Sequence, residues 1–306
     1  MPRVTSVPAA ASDAILAWYA EHGRSLAFRR TRDPYAVLVS ESMAQQTQAA
    51  RAAACWERFM ERFPTVEALA SATPADVLRA WQGLGYDRRA VALWRAARLV
   101  VEEHGGRLPS TVAELQALPG IGPYTARAVA AIAFGAPVGA VDVNVRRVLG
   151  RIVAGDASAL GETHLQQVAD DSVPPDRPGE WTHAVMDVGA TLCRPRAPDC
   201  ASCPAQPWCR FAARAHEEAT SESPPTRTIR ERAAPFASTN RWLRGRILDR
   251  LRAAPDGEWV ALDGPLGDHC PERVRAAATA MAVDGVLELR PTDSAGPDIR
   301  ARLPLA

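Results

Sequence analysis

Lysine is absent from this sequence: all 36 basic residues among its 306 are arginine. Codon usage in a GC-rich genome accounts for such a bias, but its chemical consequence holds whatever the cause. No lysine amine is present to attack a sugar or carbonyl carbon and form a Schiff base. A charge excess of either sign is also missing. With 35 acidic residues the formal net charge is +1, so any basic surface that meets nucleic acid has to be local. No apolar run reaches membrane-spanning length, and no apolar h-region follows a charged start. These absences predict a cytoplasmic chain with no membrane partner. Cysteine is sparse, at six residues, which in that compartment argues against a disulfide framework.

What is present reads as helix after helix. Residues 1–11 are Ala/Pro-rich and are expected to be a disordered terminus. From Ser12 to about Arg214 apolar residues recur at helical spacing, and no strand-like alternation competes with them. Breaks fall at Thr73-Pro74 and at Gly83-Leu84-Gly85. Residues 215–236 are polar and proline-bearing, a linker by composition. After it, NRWLRGRILDRLRAA is an amphipathic helix, CPERVRAAATAMAVDG is a helix ending in a turn, and VLEL and IRARLPL are short pieces able to pair. Residues 237–306 are therefore expected to form a small winged-helix-like α+β module.

Three local patterns carry chemistry. In the first, Thr111-Val112-Ala113-Glu114 has capping-box form and starts a helix that stops at Pro119-Gly120. Pro123 suits the first turn of the next helix. Gly120-Ile121-Gly122 between them aims backbone N–H groups and a helix N-terminus at one point, an anion site that fits DNA phosphate; alone, it reads equally as a plain turn between two packed helices. The second pattern is Cys193, Cys200, Cys203 and Cys209, spaced C-x6-C-x2-C-x5-C. Four thiolates so close in a reducing compartment imply a metal centre, either zinc or iron–sulfur. Cys55 and Cys270 stand apart and read as ordinary buried thiols. The third is a pair of carboxylates, Glu41 in SESMAQQTQ and Asp142 in VDVNVRRVL; taken singly, each reads more readily as a surface group or a helix cap.

In this order, SESMAQQTQ, GLGY, LPGIGPYTA, VDVNVRRVL and the four-cysteine loop resemble the helix-hairpin-helix base-excision DNA glycosylases, and most closely the MutY-type adenine glycosylases. The resemblance covers roughly residues 12–214. It implies an all-α, two-lobed core, with a six-helix barrel lobe at about 33–145 and an iron–sulfur lobe formed by 12–32 and 146–214. It implies a [4Fe–4S] cluster on the four cysteines, and a monomeric, nucleoid-associated bacterial enzyme acting on double-stranded DNA with a mispair or oxidised base. Glu41 would be the general acid that protonates the departing adenine, and Asp142 would stabilise the cationic sugar. Tyr124, Asn144 and Arg29 would position these groups. Gln45, Gln46, Thr47, Gln48, Tyr86 and Thr125 would meet DNA, Gln46 and Tyr86 filling or wedging the duplex near the lesion, and Gly120 and Gly122 would hold phosphate.

Position 124 discriminates within that class. Strand-cleaving relatives resembling endonuclease III carry a lysine there, so Tyr124 implies a monofunctional glycosylase. The sequence departs from the MutY pattern at Ala27, Phe28, Ala44 and Val143, which line or flank the base pocket. It also shows no His-Phe-Ser-His-type loop, and the residues after the linker are too few for a Nudix-like domain, so a short form is expected. Two other readings remain. A thymine or uracil mismatch glycosylase shares the tyrosine and aspartate but typically lacks an acid at position 41. A non-catalytic iron–sulfur DNA-binding protein needs neither carboxylate. A zinc-binding transcription factor is more distant.

Overall fold

A computed structural model of the chain describes residues 6–219, 235–262, 264–290 and 299–305. It is helical almost throughout. In order run α1 (Ala9–His22), α2 (Pro34–Ala44), α3 (Ala49–Arg62), α4 (Val66–Ser71), α5 (Pro74–Ala80), α6 (Arg88–His104), α7 (Val112–Ala117), α8 (Pro123–Phe134), α9 (Val143–Ala154), α10 (Glu162–Asp171), α11 (Pro178–Thr191), α12 (Arg210–Ala219) and α13 (Asn240–Ala253). Then come β1 (Val260–Ala261), α14 (Pro271–Val283), β2 (Glu288–Leu289) and β3 (Arg300–Arg302). Expected helix boundaries appear with their expected chemistry. Thr65, Thr73 and Thr111 each accept the N–H three residues on, and Gly105, Gly135 and Gly155 end α6, α8 and α9 in left-handed conformation.

Two compact units form. The first comprises Met1–Glu41 and Leu108–Thr226, and the second Ser42–Arg107 and Arg227–Ala306. In the first unit α11 packs on α1, α8 and α9, and α9 also meets α10 and α12. Ile15, Leu16, Val145, Leu149, Val168, Trp181, Val185 and Val188 fill its core, with Cys193, Cys203 and Cys209 packed at its border. Residues 6–11 depart from the expected disordered terminus. Val7 is buried, its N–H donates to Ser172 Oγ at 2.9 Å, and α1 starts at Ala9, before the expected start of the helical region at Ser12. The Ala/Pro-rich composition hid this because alanine fits a crowded helix contact without a conspicuous apolar pattern.

In the second unit, α4 and α5 pack on α6, α3 on α5, and α13 on α14 and α5. The C-terminal residues form the expected helices, and β2 pairs antiparallel with β3 as VLEL and IRARLPL suggested. A third strand, β1, joins the other edge of β3. This module is not a separate body. Ala75 N–H donates to the Pro304 carbonyl at 3.0 Å, and Arg252 reaches the Leu78 carbonyl and, at 2.6 Å, Asp87. Residues 220–234 of the expected linker lie outside the described residues. Cys270 corrects another expectation. It is exposed at the N-cap of α14 and not buried, whereas Cys55 is buried as expected.

Candidate active site

The hairpin turn forms as its residues dictate. After α7, Gly120 sits at φ +75°, the left-handed region that disfavours a side chain. Gly122 is the extended N-cap of α8, has no side-chain cap, and has open space where a Cβ would lie; Pro123 follows in the first turn. Tyr124 comes next, and its hydroxyl donates to Glu41 Oε2 at 2.9 Å and lies 3.5 Å from Met186 Sδ. Glu41 is 5% exposed on α2. Burial pushes its carboxyl up to about 7. The Tyr124 hydrogen bond and the Arg29 charge oppose that rise, and the Asp142 charge adds to it. Burial likewise raises the Tyr124 hydroxyl well above its ordinary value, so Tyr124 is a proton donor to Glu41 and not an anion beside it.

Asp142 is held rigidly as the N-cap of α9. Its Oδ1 accepts from the N–H groups of Asn144 at 2.8 Å and Val145 at 2.7 Å, while Oδ2 accepts from Asn144 Nδ2 at 3.0 Å. Three donors thus fix this helix-cap carboxylate, whose charge is felt at Glu41. Asn144 is fixed in turn by Arg147, which donates to Asn144 Oδ1 at 2.7 Å, to the Gly189 carbonyl at 2.7 Å and to the Cys193 carbonyl at 2.6 Å. Gly189 permits this approach, because a Cβ there would stand 2.7 Å from Asn144 Cβ.

Arg29 affects Glu41 by charge while its guanidinium is engaged elsewhere. It forms a two-pronged pair with Asp187 at 2.6 and 2.7 Å, and Arg24 also binds that carboxylate through its backbone N–H and its Nε. The Asp187 side chain is fully buried, and these donors hold it below the usual carboxylate range although burial opposes them. Removing one partner from so buried a pair costs about 3–5 kcal/mol. His183 packs against Tyr19, and burial pushes it down to about 3, so it is neutral at pH 7. Sequence reasoning missed Asp187 and Arg147. The available clue was an acid set among core positions of one helix, with Val185 and Val188 beside it.

The positions expected to meet DNA fall in both units. Gln46 and Tyr86, both in the second unit, adopt φ of +54° and +50°, uncommon for residues with side chains. Tyr86 and Gln46 are exposed, as is Gln48, while Gln45 and Thr47 are partly covered. Arg89, also missed, ties the two segments together by donating to the carbonyls of Ser42 (2.8 Å), Gln45 and Gly85 (3.1 Å). Thr125 departs from the expectation. At 1% exposure its side chain is buried, so only its backbone is left to meet DNA.

Cys193, Cys200, Cys203 and Cys209 line one small cavity, together with Arg151 and Phe211. Arg151 donates to Cys193 Sγ at 3.3 Å and stacks 4.4 Å from the Phe211 ring centre. Burial raises the Cys203 thiol to about 11 and lifts Cys200 and Cys209 as well. Among the described residues no three His, Cys, Asp or Glu side chains close on a single metal ion.

A hairpin ending in a glycine-capped helix, a buried carboxyl under that helix and a second carboxylate capping the next one define a class. Residues 39–170 match the family described as HhH-GPD superfamily base excision DNA repair protein. A thermostable thymine-DNA glycosylase of known structure superposes with a TM-score of 0.63 at 29% identity, covering 66% of this chain and 95% of that one. Over 289 residues the chain is 39% identical to the adenine DNA glycosylase of Mycolicibacterium smegmatis, covering 89% of this chain and 96% of the relative. The adenine DNA glycosylase of Mycobacterium tuberculosis is 41% identical over 257 residues, covering 83% of this chain and 82% of its own. The chain belongs to the adenine DNA glycosylase family.

Proposed function

We propose that this chain hydrolyses the N-glycosidic bond of adenine mispaired with 8-oxoguanine or guanine, and leaves the DNA strand uncut. The observation that carries this reading is Glu41, a carboxyl under Tyr124 that burial pushes up to about 7. A group so placed keeps its proton near neutral pH and can pass it to N7 of the leaving purine. As the bond to C1′ lengthens, positive charge grows on the sugar. Asp142, held by Asn144 and the end of α9, supplies the facing negative charge. Water then adds to C1′, and its proton is lost to a carboxylate. The absence of lysine and the presence of Tyr124 remove the side-chain amine that a strand-cleaving lyase uses.

In this reading a monomer holds an extrahelical adenine on double-stranded DNA. Gly120 and Gly122 would offer backbone N–H groups to phosphate, and Gln46 and Tyr86, both exposed and held at positive φ, would meet the duplex. The four cysteines would hold a [4Fe–4S] cluster. They line a common cavity, and four thiolates gathered there suit such a cluster. Bound there, the cluster would serve as a structural pin for the loop that Arg147 and Arg151 grip. Among the described residues no helix is long and apolar enough to cross a membrane, in keeping with a cytoplasmic enzyme at the nucleoid.

Single-turnover reactions on duplexes carrying A·8-oxoG, A·G, T·G and U·G test the reading. Adenine release with intact strands, no complex trapped by borohydride, and loss of release in Glu41→Gln with mispair binding kept are the expected results. Excision of thymine or uracil without adenine would overturn it in favour of the pyrimidine mismatch class.

A further inference from the structure

Between the Gly83–Tyr86 loop and the first turns of α13 runs an open groove of about 610 Å³. Its walls come entirely from the second unit. Acidic residues line it too, but Asp87, Asp249 and Asp284 are each engaged by Arg252, Arg246 or Arg244 at 2.5–2.6 Å. Arg51, Arg88 and Arg241 are exposed and have no carboxylate partner among the described residues. The groove is therefore locally cationic on a molecule whose net charge is only +1.

Tyr86 lines this groove. Two guanidinium groups approach its ring, Arg89 at 5.5 Å and Arg241 at 4.8 Å from the ring centre. Arg241 comes from α13, and a Cβ on Gly85 would lie 3.6 Å from its Nη2. Planar guanidinium stacked on an aromatic ring keeps its outward N–H donors free for a phosphate. Arg51 follows the Gln45–Gln48 segment in sequence and Arg88 lies two residues after Tyr86, so the three charges line the same groove as Tyr86. Trp242 and Phe236, the latter 63% exposed, add flat apolar surface to the same wall.

We infer that α13 of the C-terminal module is part of the DNA-binding surface, with Arg241, Arg51 and Arg88 gripping the phosphodiester backbone beside the mispair. The inference rests on the reading of the chain as a DNA glycosylase. It assigns the C-terminal residues a binding role, grip on the sugar-phosphate chain, that needs no recognition of a particular base. The stacked Arg241 also keeps Tyr86 aimed, so the module would affect lesion engagement as well as affinity.

Fluorescence anisotropy of the full-length protein with a labelled duplex, across a series of KCl concentrations, tests this. Arg241→Ala and Arg88→Ala are each expected to weaken binding roughly tenfold near physiological salt and to lower the slope of log K against log[salt] by about one. Arg241→Lys should restore the slope, since it keeps the charge. Arg250→Ala, on the same helix but outside the groove, should bind as the parent does. Thermal melts identify any variant that has lost its fold, and the Arg241→Lys comparison then carries the decision: a slope below the parent's overturns the inference. Parent-like affinity and slope in Arg241→Ala and Arg88→Ala likewise overturn it without bearing on the glycosylase reading. A parent protein that shows these slopes but excises no adenine would sink the glycosylase reading and leave the surface standing.

Discussion

Burial gives Glu41 its chemistry. A carboxyl on an exposed helix face would be ionised at neutral pH, whereas here desolvation outweighs the hydrogen bond from Tyr124 and the charge of Arg29. In the proposed mechanism the protonated form is the acid, so the single-turnover rate of adenine release should be level below about 7 and fall as pH rises through that value. A rate that instead rises across that range would mean that Glu41 acts as an ionised base. Stability shifts in a related way. The folded pKa lies above the ordinary 4.5, so between 4.5 and about 7 the folded state binds more protons than the unfolded chain. Stability therefore declines as pH increases through that window. Glu41→Gln removes the titration and should melt higher than the parent at pH 8, a case of an active site maintained at the expense of stability.

At the scale of elements, two helix termini and one crossing place the chemistry. The start of α8 delivers Tyr124, and the start of α9 delivers Asp142 with Asn144. The crossing of α9 and α11 is close because Gly189 has no side chain. Gly189→Ala would push a methyl into Asn144, where overpacking costs about 1–3 kcal/mol. Since Asn144 holds Asp142, excision should drop more than duplex affinity does. Equal losses in rate and affinity would show that the crossing serves stability alone.

Over the whole molecule, the cysteine segment and the active site are joined by hydrogen bonds. Arg147 runs from the Cys193 carbonyl to Asn144, and Arg151 holds Cys193 Sγ and the Arg194 carbonyl. Without metal, burial keeps the Cys203 thiol protonated, up to about 11, and metal binding would have to displace that proton. Purified protein is expected to be brown and to carry about four iron atoms per chain. Cys203→Ser should lose colour, melt lower and excise adenine more slowly, through displacement of Arg147. A colourless parent protein containing zinc would refute the cluster.

Residue types at fixed spacing were enough to reveal the helical class, the glycine hairpin, the two carboxylates and the four cysteines. Each of those is a local chemical requirement: a cap, a positive φ, a thiolate set. The pairing of VLEL with IRARLPL was legible for the same reason. Asp187 under Arg29 and Arg24, Arg147 behind Asn144, and Arg241 over Tyr86 were not legible, because their partners lie far off in the chain and charged side chains read as solvated until a fold buries them. The terminus at Val7 and the docking of Pro304 on Ala75 were hidden likewise. The sequence by itself determined which groups could do the chemistry and that no lysine would take part. Only the tertiary structure decided their protonation and aim, because desolvation and long-range hydrogen bonds exist only once the helices have packed.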